Sequence, residues 1–207
     1  MLKTQFKDQS EFDIYLIEQK VRQEKKYLTS SEREQLKKML NKDYKPIFIK
    51  ETKPKLPLVT DRNFLSQPCL PVTKEDNVQE IVQKLKDTFA CYEGIGLSAN
   101  QIGIQKRISY IKVPKIVNKK VEFEELILIN AKIIEQDRPV KITNEGCLSF
   151  HGVYVTTQRF VFITVEYLNE KLEPKVMAFQ DLESFAIQHE SDHQNGIVIF
   201  DRKWRAV

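Results

Sequence analysis

The 207 residues carry 33 Lys and Arg against 29 Asp and Glu, with 41% hydrophobic and 30% charged residues, 6 Gly and 8 Pro. A chain of this size buries about 70% of its unfolded surface around one core, and the composition excludes collagen-like and fully disordered classes. The net charge of +4 resides in residues 1–50, while residues 51–207 balance, so specific DNA binding is not expected and the surplus reads as solvated helical faces.

No apolar run approaches the roughly 18 residues of a membrane span, so no membrane insertion is expected. The first twenty residues contain Asp8, Glu11, Asp13 and Glu18, which suits neither a secretory signal nor a transit peptide, and a cytoplasmic location is the expectation. Cys69, Cys91 and Cys147 are too few and odd in number for a disulfide framework, which leaves catalysis or metal binding open to any of them.

In chain order, Ser10 before Phe12, Ile14, Tyr15, Ile17 and Val21, then Ser31 with Glu34 before Leu36, Met39 and Leu40, predict two short helices. Residues 42–74, with Pro46, Pro54, Pro57, Pro68 and Pro71, predict an extended connector with a strand at 47–49. Asn77 with Glu80 opens an amphipathic helix through Val78, Ile81, Val82, Leu85 and Phe89 that Gly94 is expected to end. Runs 108–113, 126–134, 160–168 and 176–179 predict strands, with Asn169-Glu170 as a hairpin turn. A last helix follows Asp181, with Leu182, Phe185, Ala186, His189 and His193 on one face and Gly196 closing it. The expected class is α+β, with mixed or antiparallel sheets around a central metal-binding helix and an N-terminal helical extension.

His189-Glu190-Ser191-Asp192-His193 is an HExxH string. On a helix it turns both imidazoles toward one cation with Glu190 beside it. Two packed or exposed histidines are the alternative for this string alone. A catalytic metal needs a third protein ligand. The chain has Ile199 where a third histidine of the metzincin pattern would fall, and downstream only Asp201 is a carboxylate. The third ligand is therefore expected upstream. Cys147, within Glu145-Gly146-Cys147-Leu148-Ser149, is a candidate through its thiolate, although alone it reads as a small buried residue. The segment Gly94-Ile95-Gly96-Leu97-Ser98-Ala99-Asn100-Gln101 fails as a phosphate loop because no strand precedes it and no GK[ST] ends it. Either it is an ordinary loop, or glycine admits a substrate backbone there and Gln101 offers an amide donor.

Taken together and in this order, the three segments resemble the signature motifs of the peptide deformylase family over about residues 60–203. The resemblance implies a catalytic domain at 59–207, preceded by an N-terminal helical extension and connector at 1–58. It implies hydrolytic removal of the N-formyl group from formyl-methionyl peptides and nascent chains, with release of formate. Cys147, His189 and His193 would bind one divalent metal ion, Fe2+ as the native ion with Zn2+, Ni2+ or Co2+ able to substitute. Glu190 would be the general base and acid, and Gln101 with the Leu148 backbone N–H would donate to the oxyanion. Ile95, Gly96, Gly146, Leu182, Phe185 and Ala186 would contact the substrate, Gly96 by strand pairing.

The chain departs from the family pattern at Ser98, Thr143, Phe150-His151-Gly152 and Gln194. Eleven residues follow Gly196, too few for the long C-terminal helix of ribosome-bound relatives, so the basic N-terminal helices become the candidate ribosome contact. Other readings are a metalloprotease, disfavoured by the missing downstream ligand, and a lapsed deformylase-like fold that serves as an interaction module.

Overall fold

The computed structural model describes residues 56–92, 94–117 and 120–202. The two expected N-terminal helices and the strand at 47–49 lie outside these. A one-turn helix α1 (Arg62–Leu65) interrupts what was expected to be an extended connector. The Asp61 side chain starts it by accepting from the Asn63 N–H at 2.8 Å. Helix α2 (Val78–Phe89) begins at Asn77, whose side chain accepts from the Glu80 N–H, and buries Val78, Val82, Leu85 and Phe89. It ends with Ala90 at the cap rather than at Gly94.

Five strands follow in a simple meander, β1 (Gly96–Ser98), β2 (Ile108–Val117), β3 (Lys120–Gly146), β4 (Tyr154–Leu168) and β5 (Pro174–Gln180). They form one sheet in the order β1-β2-β3-β4-β5, and every neighbouring pair is antiparallel. Of the expected mixed or antiparallel arrangement the structure shows the antiparallel one, in a single sheet, and the parallel contact Leu70–Lys106 is an isolated bridge. Consecutive strands joined by short loops can only pair antiparallel. The β4–β5 connection is longer than the expected two-residue turn, because the Asn169 side chain accepts from the backbone N–H groups of Lys171 and Glu173.

The third strand is the largest departure from expectation. It runs 27 residues, and its register against β4 shifts between Ile129 and Lys132, Ile133 and Glu135, and Ile142 and Glu145. Each shift inserts residues that bend the strand and reset which side chains face inward. The last, with Asn144 at φ 59°, delivers Glu145 and Cys147 to the interior.

Helix α3 (Asp181–Gln194) packs on β4, β1 and β2. Asn195 caps it, and Gly196 follows at φ 71° as sequence predicts for the residue after a helix. Here glycine is required twice over, since a Cβ would sit 2.5 Å from the Ser66 carbonyl oxygen. The buried apolar residues form two clusters, one under α2 and one between the sheet and α3. Ile95 and Leu182 touch both, which places them at the seam where the polar constellation lies.

Candidate metal centre

Three segments meet at this seam. The first is β1 with the 3-10 turn Ala99–Ile102, the second is the end of β3 with Cys147-Leu148-Ser149, and the third is the last two turns of α3. Helical spacing stacks the His189 and His193 rings edge to face with centroids 5.1 Å apart. The ligand atoms of Cys147, His189 and His193 all lie within 4.8 Å of one another. Cys147 Sγ is 3.2 Å from His193 Nε2, and both residues are at most 2% exposed.

Cys147 and the His189 imidazole shift one another's protonation. Burial pushes the Cys147 thiol up, but His193 and His189 beside it outweigh burial and hold it well below its ordinary value. Burial likewise opposes protonation of His189, whereas Cys147 and Glu145 hold its imidazole well above the ordinary range. A deprotonated thiolate beside imidazoles is the donor set that binds a divalent transition metal, with loss of the imidazole proton on binding. His189 Nδ1 bonds Glu145 Oε1 at 2.7 Å, which leaves the other ring nitrogen for a ligand, as metal-binding histidines require. His193 Nδ1 is buried without a hydrogen-bond partner among the described residues. One sulfur and two imidazole nitrogens in this arrangement fit a single divalent ion.

Glu190 is 3% exposed and faces β1. A Cβ on Gly96 would lie 2.5 Å from Glu190 Oε1 and 3.0 Å from its Cδ, so only glycine lets this strand run past the carboxyl group. Burial is the main influence that pushes the Glu190 carboxyl up, with His189 and His193 pulling the other way. Its Oε2 has no protein partner among the described residues, as suits a group that handles a substrate or water proton.

Gln101 is fixed at both ends of its amide. Oε1 accepts from the Ser98 N–H at 2.8 Å, and Nε2 donates to Ser149 Oγ at 3.2 Å and to Cys147 Sγ at 3.6 Å. Leu148 follows Cys147 and packs on Gly94, where an added Cβ would be 3.2 Å from Leu148 Cδ1. Gly146 is the last residue of β3 and pairs with Tyr154. Leu182 and Phe185 are half-buried on the face of α3 before the histidines, whereas Ala186 lies inside the second core cluster. β1 is an edge strand that pairs only with β2 among the described residues. Thr143 and His151 are exposed, and His151 is not among the three clustered donors.

Asp192 is expected from sequence to orient the helix or a neighbouring cation, whereas its partner Arg159, and Thr157, were not singled out. Glu145 accepts two hydrogen bonds from Arg159, one of them from Nε at 2.9 Å, and a third from Thr157 Oγ1. Arg159 also donates to Asp192 Oδ2 at 2.6 Å. One buried guanidinium thus ties the strand that carries Cys147 to the helix that carries both histidines. Burial pushes the Glu145 carboxyl up, yet the bonds from His189 and Arg159 outweigh this and hold it well below the usual carboxylate range. The available signal was phase. Thr157, Arg159, Val161, Ile163, Val165 and Tyr167 alternate along β4 and all are buried, so Arg159 occupies an inward-facing position where a lone charge must have a partner.

Two of the sequence departures prove to be one feature. Ser98 Oγ lies 3.0 Å from Ser109 Oγ and donates to the Glu190 carbonyl at 3.1 Å. Gln194 Nε2 donates to Ser109 Oγ at 2.6 Å, so polar residues at 98, 109 and 194 support one another beneath α3.

Comparison with known proteins gives a consistent result. A family model described as Polypeptide deformylase matches residues 56–206. A curated relative from Thermosynechococcus vestitus named Peptide deformylase is 37% identical over 139 residues, which cover 67% of this chain and 72% of the relative. The structure resembles a peptide deformylase from Synechococcus elongatus in complex with actinonin, with TM-score 0.66, 32% identity, and coverage of 78% of this chain and 85% of the other. It also resembles a Met-Ala-Ser-bound class I type b peptide deformylase from Acinetobacter baumannii, with TM-score 0.63, 25% identity, and coverage of 71% and 97%.

Proposed function

The chain belongs to the polypeptide deformylase family, and from that premise we propose how its own residues divide the work of deformylation. The enzyme is a hydrolase that removes the N-formyl group from nascent peptides. The observation that carries the residue assignment is the convergence of Cys147, His189 and His193 within 4.8 Å, with the Glu190 carboxyl beside them against β1.

Cys147, His189 and His193 hold one divalent ion, with Fe2+ as the native ion and Ni2+, Co2+ or Zn2+ as substitutes that a sulfur–imidazole set also accepts. Such an ion, when bound, would supply Lewis acidity and lower the pKa of water. Glu190 takes the proton from that water as its oxygen bonds to the formyl carbon. The carbon–nitrogen bond then breaks, its electron pair stays on nitrogen, and Glu190 returns the proton to the departing amine. The products are formate and a free α-amino terminus. Gln101 Nε2, held in place by Ser149, and the Leu148 N–H donate to the oxygen that gains charge.

The substrate backbone pairs with β1 at Gly96, since β1 has an open edge next to Glu190. Ile95, Leu182 and Phe185 line the methionine side-chain pocket, with Ala186 as its packed floor and Gly146 at its rim. The Met-Ala-Ser bound to the Acinetobacter relative is the deformylated form of such a substrate. The catalytic unit is assigned to residues 59–207, with Leu56 and Leu58 packed on its core, and the basic surplus of the preceding residues suits a ribosome contact. The central helix of the catalytic unit is the metal-binding one, and the enzyme works in the cytoplasm.

The test is formate release from a formyl-Met-Ala peptide by protein reconstituted anaerobically with Fe2+ or Ni2+, with metal content measured alongside. One ion per chain with turnover is expected, and both are lost in Cys147→Ala and His193→Ala. Full metal content in these two variants would refute the ligand assignment.

A further inference from the structure

Asp192 directly precedes His193 in the last turn of α3, and two guanidinium groups grip its carboxylate. From the interior, Arg159 Nη1 reaches Oδ2 at 2.6 Å. From the other side, Arg202 places Nη2 2.7 Å from Oδ1 and Nε 3.1 Å from Oδ2. Arg202 follows the helix in the 3-10 turn Ile199–Arg202. That turn is a firm mount, since Val198 and Ile199 are buried and the Val198 N–H donates to Asp201 Oδ2 at 3.1 Å.

Charge and geometry both make Arg202 part of the site. Glu145 and Asp192 are two carboxylates with side chains only 12% and 10% exposed, and Arg159, at 3%, is the guanidinium they share. Glu145 also has His189 as a partner, whereas from the interior Asp192 has only the guanidinium it shares with Glu145, and an incompletely compensated buried charge is costly. Arg202 balances it. Its forked contact also fixes the Asp192 carboxylate plane. That plane sets where Arg159 Nη1 points, and the remaining Arg159 donors then hold Glu145, which holds His189 Nδ1.

We propose that Arg202 is a positioning residue for the metal ligands, acting through Asp192 and Arg159 on Glu145 and His189, and through the Asp192 backbone on His193. The proposal rests on the reading of Cys147, His189 and His193 as the ligands. It predicts a sign opposite to that of a field effect. Removing a positive charge near a cation would by Coulomb's law tighten its binding, whereas loss of a geometric clamp loosens it.

The experiment loads the full chain with Co2+ and follows transfer of the ion to excess chelator by the cobalt ligand-field absorbance. Arg202→Ala is expected to release Co2+ about tenfold faster, at the low end for residues that support ligands from outside, and to alter the ligand-field bands. Arg202→Lys keeps the charge without the fork and should fall between Arg202→Ala and the parent. Arg62→Ala is the control, because it removes the neighbouring Arg62–Asp201 ion pair and the Arg62 contact over the Phe200 ring while Arg202 keeps its contacts. It should leave cobalt release unchanged. Unchanged or slower release from Arg202→Ala would overturn the proposal, as would equal acceleration in Arg62→Ala. If Arg202→Ala lacks the parent's circular dichroism, Arg202→Lys decides, and release at the parent rate refutes the clamp. Failure of the parent to bind one Co2+ per chain, or full binding by Cys147→Ala, would instead refute the ligand reading.

Discussion

At the scale of single residues, the site depends on side chains that are missing as much as on those present. Gly96 lets β1 pass the Glu190 carboxyl, and a methyl group there meets Oε1 at 2.5 Å. Gly96→Ala should therefore displace the carboxyl group proposed to transfer the proton while the sheet survives, with kcat falling about tenfold or more at a nearly unchanged unfolding temperature, a misplacement effect. Parallel rate and stability measurements check this. Gln101→Ala removes one proposed oxyanion donor and should lower kcat by about 10²–10³-fold with KM little changed. Most of these residues were legible because motif chemistry is local. HExxH needs only a helix, and the glycines and Gln101 sit within eight residues. Arg159 was not legible, because its partners Glu145 and Asp192 are 14 and 33 residues away and only its inward phase marked it.

At the scale of elements, the buried Arg159 holds the end of β3 to α3. Arg159→Leu leaves Glu145 and Asp192 without their shared cation and should cost about 3–5 kcal/mol, read from denaturant unfolding. Gly196→Ala places a side chain at φ 71° against the Ser66 carbonyl, and should destabilise by about 1–3 kcal/mol without changing metal content. Farther from the site, Asp76 accepts from Lys106 Nζ at 2.8 Å and from the Thr73 N–H at 2.8 Å, and these bonds hold its carboxyl below the usual carboxylate range. A depressed pKa stabilises the fold above the ordinary carboxylate value, and the benefit disappears as pH falls through the lower one. The difference in unfolding midpoint between the parent and Asp76→Asn should thus be present at neutral pH and close in acid.

The elements also show where sequence patterns lose force. Helix α2 was readable from its capping residue and apolar stripe, and α3 from its one-sided face and Gly196, although Gln180 rather than Asp181 precedes α3 and no side chain caps its start. The 27-residue β3 was read only over 126–134, since its bulges break alternation and Asp137, Arg138 and Pro139 look like a turn. Asp137 and Pro139 stay in the ladder because β4 supplies partners, Phe162 and Phe160, on either side of Arg138 at φ 57°. Strand β1 was invisible because three residues carry no period, and its pairing with β2 is decided by tertiary contact.

At the scale of the whole molecule, the sheet places both core clusters so that their seam receives all three motifs, and the family match spans 56–206. Among the described residues no helix is long and apolar enough to cross a membrane. If the residues before the family match are not part of the catalytic unit, a protein that begins at residue 56 should keep deformylase kcat/KM within about twofold of the full chain while losing any ribosome co-sedimentation. A tenfold loss of activity would make the extension part of the catalytic unit. The proposed division of labour, in which Cys147, His189 and His193 hold the ion and Glu190 moves the proton, is decided by formate release from Glu190→Gln and the parent at equal, measured metal content. One ion per chain in both proteins and a kcat about 10²–10⁴-fold lower in the variant are expected. Turnover by metal-loaded Glu190→Gln at the parent rate would contradict that division.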